Sequence, residues 1–338
     1  MPFNHNSIIG YDDQFRRDID LYSAHSITAN GAGTAVTANP VGNLIDATPG
    51  TLWRRNGVAH AGLVQVEIVL TPKSTVAERQ TAALLVVGNA YAVRQGTTER
   101  HPINIRCRVY NAAFGSLTYD GTIQPAVGFG FSSARLIQNY AFAIFGRGGD
   151  AQAYIDQADG GRYLLGGGVG CGLRLDFVMP TTPTGTFDLF CERLLYLRGL
   201  YCTVEPGISA AYRDPSQVAR SYSGRPYATP KPVQSSLSMR LARVDQAMAY
   251  GGLNDVGNFQ RSTVHAVNRI AGTTGTIAVV PDLQYSPVNG QTISTQPVPD
   301  TQVIVGQMDA PMNLEHLSAV SGAQVALYGS SLSVTSSL

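Results

Sequence analysis

The stretch GGGVGCG at residues 166–172 is the closest the sequence comes to a phosphate cradle. A cradle needs a helix N-terminus behind its glycines. Here the glycines run into an alternating apolar segment, so a flexible loop is the better reading. Asp150, Asp156 and Asp159 stand together in DAQAYIDQADGG. Their oxygens could coordinate calcium, but the spacing is not that of an EF-hand, and simple solvation is the alternative. The histidines, His5, His25, His60, His101, His265 and His316, include no pair spaced four or five apart, so no local metal-ligand pair exists. Cys107, Cys171, Cys191 and Cys202 have no C-x-x-C spacing, which signals neither zinc nor redox chemistry. There is no G-x-S-x-G elbow and no P-loop, and no pair of carboxylates is legible across a scissile bond. The expectation is a protein with no catalytic residues, no cofactor and no metal.

Arginine is the remaining chemistry. Arg54, Arg55, Arg94, Arg100, Arg106 and Arg108 gather in the first part of the chain. They could recognise a carboxylate or a sugar acid. The favoured reading is that they are outward strand and loop residues, some paired with Glu67, Glu99 or a partner's carboxylates. Arg54, Tyr91 and Arg94 are the candidate ligand or interface residues.

Charged residues make up 14% of the 338 residues, against about 25% in an ordinary soluble domain. Gly, Ser, Thr, Asn and Gln replace them. Such a surface is either covered by partners or formed from the polar loops of a β protein. Net charge is +1, with no basic stripe, so no nucleic-acid partner is expected. Lys73 and Lys231 are the only lysines; the arginine excess suits desolvated interface contacts, and genome composition would produce it too. No run of about 18 apolar residues is present, so no membrane span is expected. The start, MPFNHNSIIGYDD, lacks a signal-peptide pattern, so folding in a reducing cytoplasm is expected.

The elements that must hold these residues are strands. LVQVEIVL (63–70) puts Val64, Val66, Ile68 and Leu70 on one face, with Gln65 and Glu67 on the other. INIRCRVY (103–110) turns Ile103, Ile105, Cys107 and Val109 inward; GLRLDFVM (172–179) does so with Leu173, Leu175 and Phe177. Period-2 alternation predicts half-buried antiparallel strands. ALLVVGN (83–89) reads as a strand buried on both faces, and FDLFCERLLYLRGLY (187–201) closes the region. From Glu205 the chain becomes rich in proline and aperiodic, which predicts an extended connector or arm. Leu241, Val244 and Met248 are spaced for one helix. Val264, Val267 and Ile270 are spaced for another, with Asn258 as N-cap, Arg269 in the last turn and Gly272 as the stop. Strands return at 276–282, 301–308 and 323–330, and 329–338 is expected to fray. The organisation expected is an arm at 1–19, a β domain at 20–205, a connector at 206–236 and a small α+β docking domain at 237–338.

The chain's single tryptophan lies in NPVGNLIDATPGTLWRR (39–55). Leu44 and Ile45 can bury, Asp46 and Thr48 can fold the chain through local hydrogen bonds, and Pro49-Gly50 is a turn pair. Trp53 then enters the core at a strand start and anchors the turn; the alternative is a solvent-facing ring stacked on a sugar. Asn43, Leu44, Asp46, Thr51 and Trp53 resemble the early turn and anchor of discoidin-like, galactose-binding-type β-sandwiches. ALLVVGN, INIRCRVYNA and FDLFCERLLYLRGLY resemble that fold's later strands. Asp214-Pro215-Ser216, Arg220-Ser221-Tyr222-Ser223-Gly224 and Val280-Pro281-Asp282 hold the order seen in discoidin-like structural proteins of tailed bacteriophages.

That resemblance implies a mainly β chain: a discoidin-like, jelly-roll sandwich followed by the smaller α+β domain, with Leu44, Asp46 and Trp53 as structural anchors. It implies a virion protein of the tail tip or baseplate, assembled in the host cytoplasm. Its partners would be other tail proteins and copies of itself in a symmetric ring. A carbohydrate-binding adhesin touching a host-surface glycan is the second expectation.

Overall fold

The structure, a computed structural model, describes residues 5–13, 15, 22–46, 51–72, 83–111, 114–115, 117–123, 140–145, 171–205, 207–213, 217–220, 226–229, 234–253, 259–260, 263–281, 303–319 and 326–336. The chain is mainly β, as expected. In chain order the strands are β1 (His5–Asp13), β2 (Tyr22–Gly31), β3 (Thr34–Ala35), β4 (Trp53–Ala59), β5 (Leu63–Pro72), β6 (Ala83–Gly88), β7 (Tyr91–Arg94) and β8 (Arg100–His101). Then come β9 (Asn104–Asn111), β10 (Leu117–Ile123), β11 (Tyr140–Phe145), β12 (Cys171–Val178), β13 (Thr186–Cys191), β14 (Arg193–Val204), β15 (Ser209–Arg213), β16 (Gln217–Arg220) and β17 (Pro226–Thr229). The last are β18 (Gln234–Asp245), β19 (Gly252–Leu253), β20 (Phe259–Gln260), β21 (Ile277–Val280), β22 (Ile304–Met308), β23 (Glu315–Ala319) and β24 (Ala326–Ser336). Two short helices, α1 (Gln246–Tyr250) and α2 (Val264–Ile270), complete the set.

Two five-stranded sheets share one core. The first runs β10-β9-β12-β5-β2 and the second β3-β4-β13-β7-β8, with every pairing antiparallel. The inward residues read from alternation are buried: Val64, Val66 and Ile68 from β5, Ile105 and Cys107 from β9, and Leu173, Leu175 and Phe177 from β12. Facing them are Trp53 and Val58 from β4, Ala92 from β7, and Phe187, Leu189 and Cys191 from β13. FDLFCERLLYLRGLY is two strands rather than one, broken at Glu192, whose N–H donates to the Gly88 carbonyl. β6 is buried through Leu84, Leu85, Val86 and Val87, as its continuous apolar run predicts. It ends at Gly88, and Asn89 just beyond takes a positive φ of 47°.

The third sheet holds ten strands, and part of it closes. β14 pairs with β1, β1 with β21, β21 with β22, β22 with β24, β24 with β18, and β18 returns to β14 through Thr203 and Val204. The result is an antiparallel barrel. Its interior holds Ile9, Leu200, Cys202, Leu237, Met239, Leu241, Ile277, Ile304, Leu332 and Val334, with Val264 and Val267 of α2 packed into the same cluster. β14 ties the barrel to the first core. Its early residues pair with β6 and send Leu194 and Tyr196 into that core, while Leu200, Cys202 and Val204 enter the barrel. Where β22 crosses β24, a Cβ on Gly306 would fall on the Thr335 carbonyl oxygen, so this crossing requires glycine.

Several segments differ from their sequence reading. Residues 5–13, within the expected arm, form a central barrel strand between β14 and β21. The connector at 206–236 contains β15, β16 and β17 and the start of β18. The 237–338 segment, expected as a separate α+β unit, supplies barrel strands alongside β1 and β14. Leu241 and Val244 lie on strand β18, not a helix: the register shifts between them, and a bulge brings residues three apart to one face. The second helix forms as α2, with Arg269 in its last turn and Gly272 at φ +51° just beyond. Its N-cap is Thr263, whose side chain accepts from the Ala266 N–H; Asn258 lies outside the described residues. The tail expected to fray is largely β24, paired with β18 and β22 through Ser336.

Candidate functional site

Arg54, Tyr91 and Arg94 all belong to the second sheet, on β4 and β7. Strand alternation turns Trp53 and Arg55 inward and Arg54 outward. In the ladders Arg54 stands opposite Phe190, and Phe190 opposite Tyr91. The two rings stack, with centroids 5.2 Å apart and planes 14° from parallel. The Arg54 guanidinium lies over Phe190 at 5.1 Å, and Arg100 lies over Tyr91 at 4.5 Å. Four strands therefore build one row, Arg54–Phe190–Tyr91–Arg100, in which both rings are flanked on either side. Burial raises the Tyr91 phenol pKa, with the Arg100 charge opposing.

Asp188 organises the row's other flank. It accepts from Arg54 Nη2 at 2.7 Å, Gln95 Nε2 at 2.9 Å and the Gly57 N–H at 3.1 Å. Thr186 Oγ1 steadies Gln95 by donating to its Oε1 at 2.8 Å. Burial opposes ionisation of Asp188, but the hydrogen bonds from Arg54, Gln95 and Gly57 outweigh it and hold the carboxyl below its usual range. Its contribution to stability is thus present above the unfolded value, about 3.9, and is lost as pH falls through the lower folded value. Asp188→Asn is expected to cost about 1–2 kcal/mol near neutral pH. In paired urea melts that difference should narrow once the solution is more acidic than about pH 4; a gap that stays constant into acid would contradict the ionised role.

Arg94 is outside the row. It sits at the end of β7 opposite Phe187, beside Gly185, and its carbonyl accepts from the Thr97 N–H and hydroxyl. Among the described residues no carboxylate pairs with Arg94 or Arg100. Two of the other arginines pair with acids not among those expected, Arg54 with Asp188 and Arg108 with Asp176. Glu67 pairs with Arg174, and Glu99 lies 3.6 Å from His101 Nε2.

A 3-10 turn at Val41–Ile45 buries Leu44, and Asn43 Nδ2 donates to the Leu52 carbonyl at 2.9 Å, closing the turn. Asp46 ends that turn and donates its N–H to the Asn43 carbonyl. Trp53 is 2% exposed and meets Phe177 of the facing sheet edge-on, with centroids 5.5 Å apart. Thr48, Pro49 and Gly50 lie outside the described residues, as do Asp150, Asp156 and Asp159. The glycine-rich loop enters strand β12 at Cys171, and its earlier glycines are likewise outside.

Arg55 was not separated from Arg54 by sequence reasoning, and it is not an outward residue. It is 7% exposed and gathers carbonyls from the end of β2 and the turn after it: Nε donates to Ala32 O at 2.6 Å, Nη2 to Gly31 O at 2.8 Å and Gly33 O at 3.3 Å, and Nη1 to Ala29 O at 3.2 Å. Its parity with Trp53 on β4 was the available signal.

Cys107, Cys191 and Cys202 are buried thiols in no disulfide, and burial pushes the Cys202 thiol pKa up to about 12. Such thiols are poor nucleophiles. Among the described residues no group of three or more His, Cys, Asp or Glu could hold a metal, and no helix is long and apolar enough to cross a membrane. No family model, curated protein or solved structure matches the chain.

Proposed function

We propose that this chain is a structural protein of a tailed-phage virion, a tail-tip or baseplate component that works by subunit assembly. In this reading the two facing five-stranded sheets are a discoidin-like, jelly-roll sandwich, and the anchored turn at Leu44 and Trp53 supports it. The observation that carries the assembly mechanism is the β16–β17 pair. It is a two-stranded ribbon that, among the described residues, pairs with no other strand. Such a ribbon is marginal in water without a surface to lie on.

The Arg54–Phe190–Tyr91–Arg100 row supports assembly over sugar binding. A pyranose stacks on an open aromatic face, and the faces of Tyr91 are taken by Phe190 and Arg100. A pre-ordered row presenting ring edges and guanidinium groups suits a protein contact, where arginine and tyrosine are enriched.

The test is to purify tailed particles from a host producing the chain, identify their proteins by mass spectrometry and label the particles with antibody to this chain. The expected result is the chain in stoichiometric amount, with label at the tail end. Its absence from purified particles, with all of it in the soluble fraction, would overturn the proposal.

A further inference from the structure

Strands β2, β3, β8 and β10 are the edges of the two five-stranded sheets. Three of them are blunted. β3 and β8 are two residues long, β8 runs into Pro102, and β10 shifts register between Leu117 and Tyr119 and carries Asp120. Short strands, proline, bulges and charge are the usual means of keeping an edge from pairing with another chain. β2 lacks them. Its sequence, YSAHSITANG, has no proline and no Lys, Arg, Asp or Glu, and its register with β5 is unbroken from Ala24 to Gly31. We propose that this edge pairs antiparallel with the β2 edge of a second copy of the chain, across a two-fold axis at Ile27; the inference rests on the assembly reading and names the partner.

Hydrogen-bond parity fixes which backbone groups β2 offers. The Ala32 N–H donates to the Leu63 carbonyl at 3.0 Å, one step beyond the Gly31↔Val64 pair. Bonded pairs recur at every second residue of an antiparallel ladder. Asn30, Thr28 and Ser26 therefore direct their backbone groups to β5, while Gly31, Ala29 and Ile27 turn theirs to the open side. Arg55 agrees with this parity, taking the Gly31 carbonyl at 2.8 Å and the Ala29 carbonyl at 3.2 Å. Its guanidinium closes the edge at Gly31. Ahead of that point, among the described residues, β2 pairs with no strand but β5, and Ser26, Thr28 and Asn30 are exposed.

Self-complementarity identifies the occupant. About an axis at Ile27, the backbone of His25 meets that of Ala29, and Ile27 meets its own copy. These edge-facing residues make the bonded pairs; the Ala29 carbonyl has two lone pairs and can accept from Arg55 and from the new strand together. Ser26 and Thr28 then face each other twice, as non-bonded pairs on the exposed side. Facing hydroxyl residues favour strand pairing, and no charge meets its like. The second edge is already extended in its own sheet, so pairing avoids the ordering entropy that a free peptide would lose. The contact is isologous, and it joins the first sheets of two copies into one continuous sheet.

Sedimentation equilibrium of full-length proteins across the micromolar range tests this. The natural chain should self-associate. Ser26→Lys/Thr28→Lys sets lysines face to face twice across the axis and should associate about tenfold more weakly or worse. Ser26→Glu/Thr28→Lys sets opposite charges at the same places and should recover the natural association. Both positions are exposed, so the urea midpoints should match that of the natural chain. Disulfides read the register. A Ser26→Cys chain mixed with a Thr28→Cys chain should link under mild oxidation, because facing residues of a non-bonded pair have Cα atoms about 4.5 Å apart. Either variant alone should link no more than the natural chain, since equivalent residues stand two positions out of register. A natural chain monomeric throughout, a lysine variant that associates equally well, or a mixed-charge variant that does not recover overturns the pairing. If a charged variant fails to fold, the cysteine mixture carries the test, and the absence of a preferred mixed disulfide overturns the pairing. A monomeric chain still found in purified particles removes this contact and leaves the assembly reading standing; a self-associating chain absent from particles does the reverse.

Discussion

Trp53→Ala should lower the free energy of unfolding by about 3–5 kcal/mol, the range for truncating a large buried aromatic. The indole is the first residue of β4 and touches Phe177 on β12, so it spans the space between two sheets whose strands do not pair with each other among the described residues. Removing it leaves a void bounded by backbone ladders on both sides, which cannot collapse together without breaking register. Trp53→Phe keeps the aromatic contact and should lose roughly half as much. The measurement is the urea midpoint by circular dichroism, with an unchanged denaturant slope showing that the same surface unfolds. Trp53 is also the chain's only tryptophan. Its emission should be blue-shifted in the native state and move red in the same transition. An alanine variant within about 1 kcal/mol of the natural chain would mean that the indole does not pin the layers.

The anchor was legible because every part of it is local: a turn, a buried leucine, a tryptophan at a strand start. The strands of the first core were legible for the same reason, since alternation in β5, β9 and β12 is written in consecutive residues. The barrel was not. Its closure depends on Ile8–Gly10 meeting Ala278–Val280 and on Thr203 meeting Ala242, pairings between distant segments that no local period encodes. Residues 329–338 looked frayed because Ser and Thr outnumber their apolar residues, yet within them Leu332 and Val334 alternate on β24 and both are buried. The bulge in β18 imitated a helical spacing outright. The site divides in the same way. Arg54 and Tyr91 were visible as residues, but their meeting across Phe190 is a product of register between β4, β13 and β7.

Arg55 shows what strand parity alone can reveal. Two residues beyond Trp53 on β4, it must face the same side, so a guanidinium there needs buried acceptors. The end of β2 and the turn into β3 provide them, turning the carbonyls of Ala29, Gly31, Ala32 and Gly33 toward one cation. Backbone carbonyls facing inward are costly unless paired, and hydrogen bonds from a charged donor are the stronger kind. Arg55→Met keeps most of the side-chain bulk and removes every donor, so it should cost about 2–4 kcal/mol. Arg55→Lys has three donors at a single point in place of a planar fork. It should recover only part of the loss, because one ammonium cannot meet acceptors arrayed along a loop. Hydrogen exchange separates this effect from general destabilisation. The donors hold one loop, so in Arg55→Met the amides of residues 30–36 should exchange faster under conditions where β9 and β12 remain protected. Uniform acceleration across the sheets would assign Arg55 to the core as a whole, and no acceleration would show that the loop holds its shape without it.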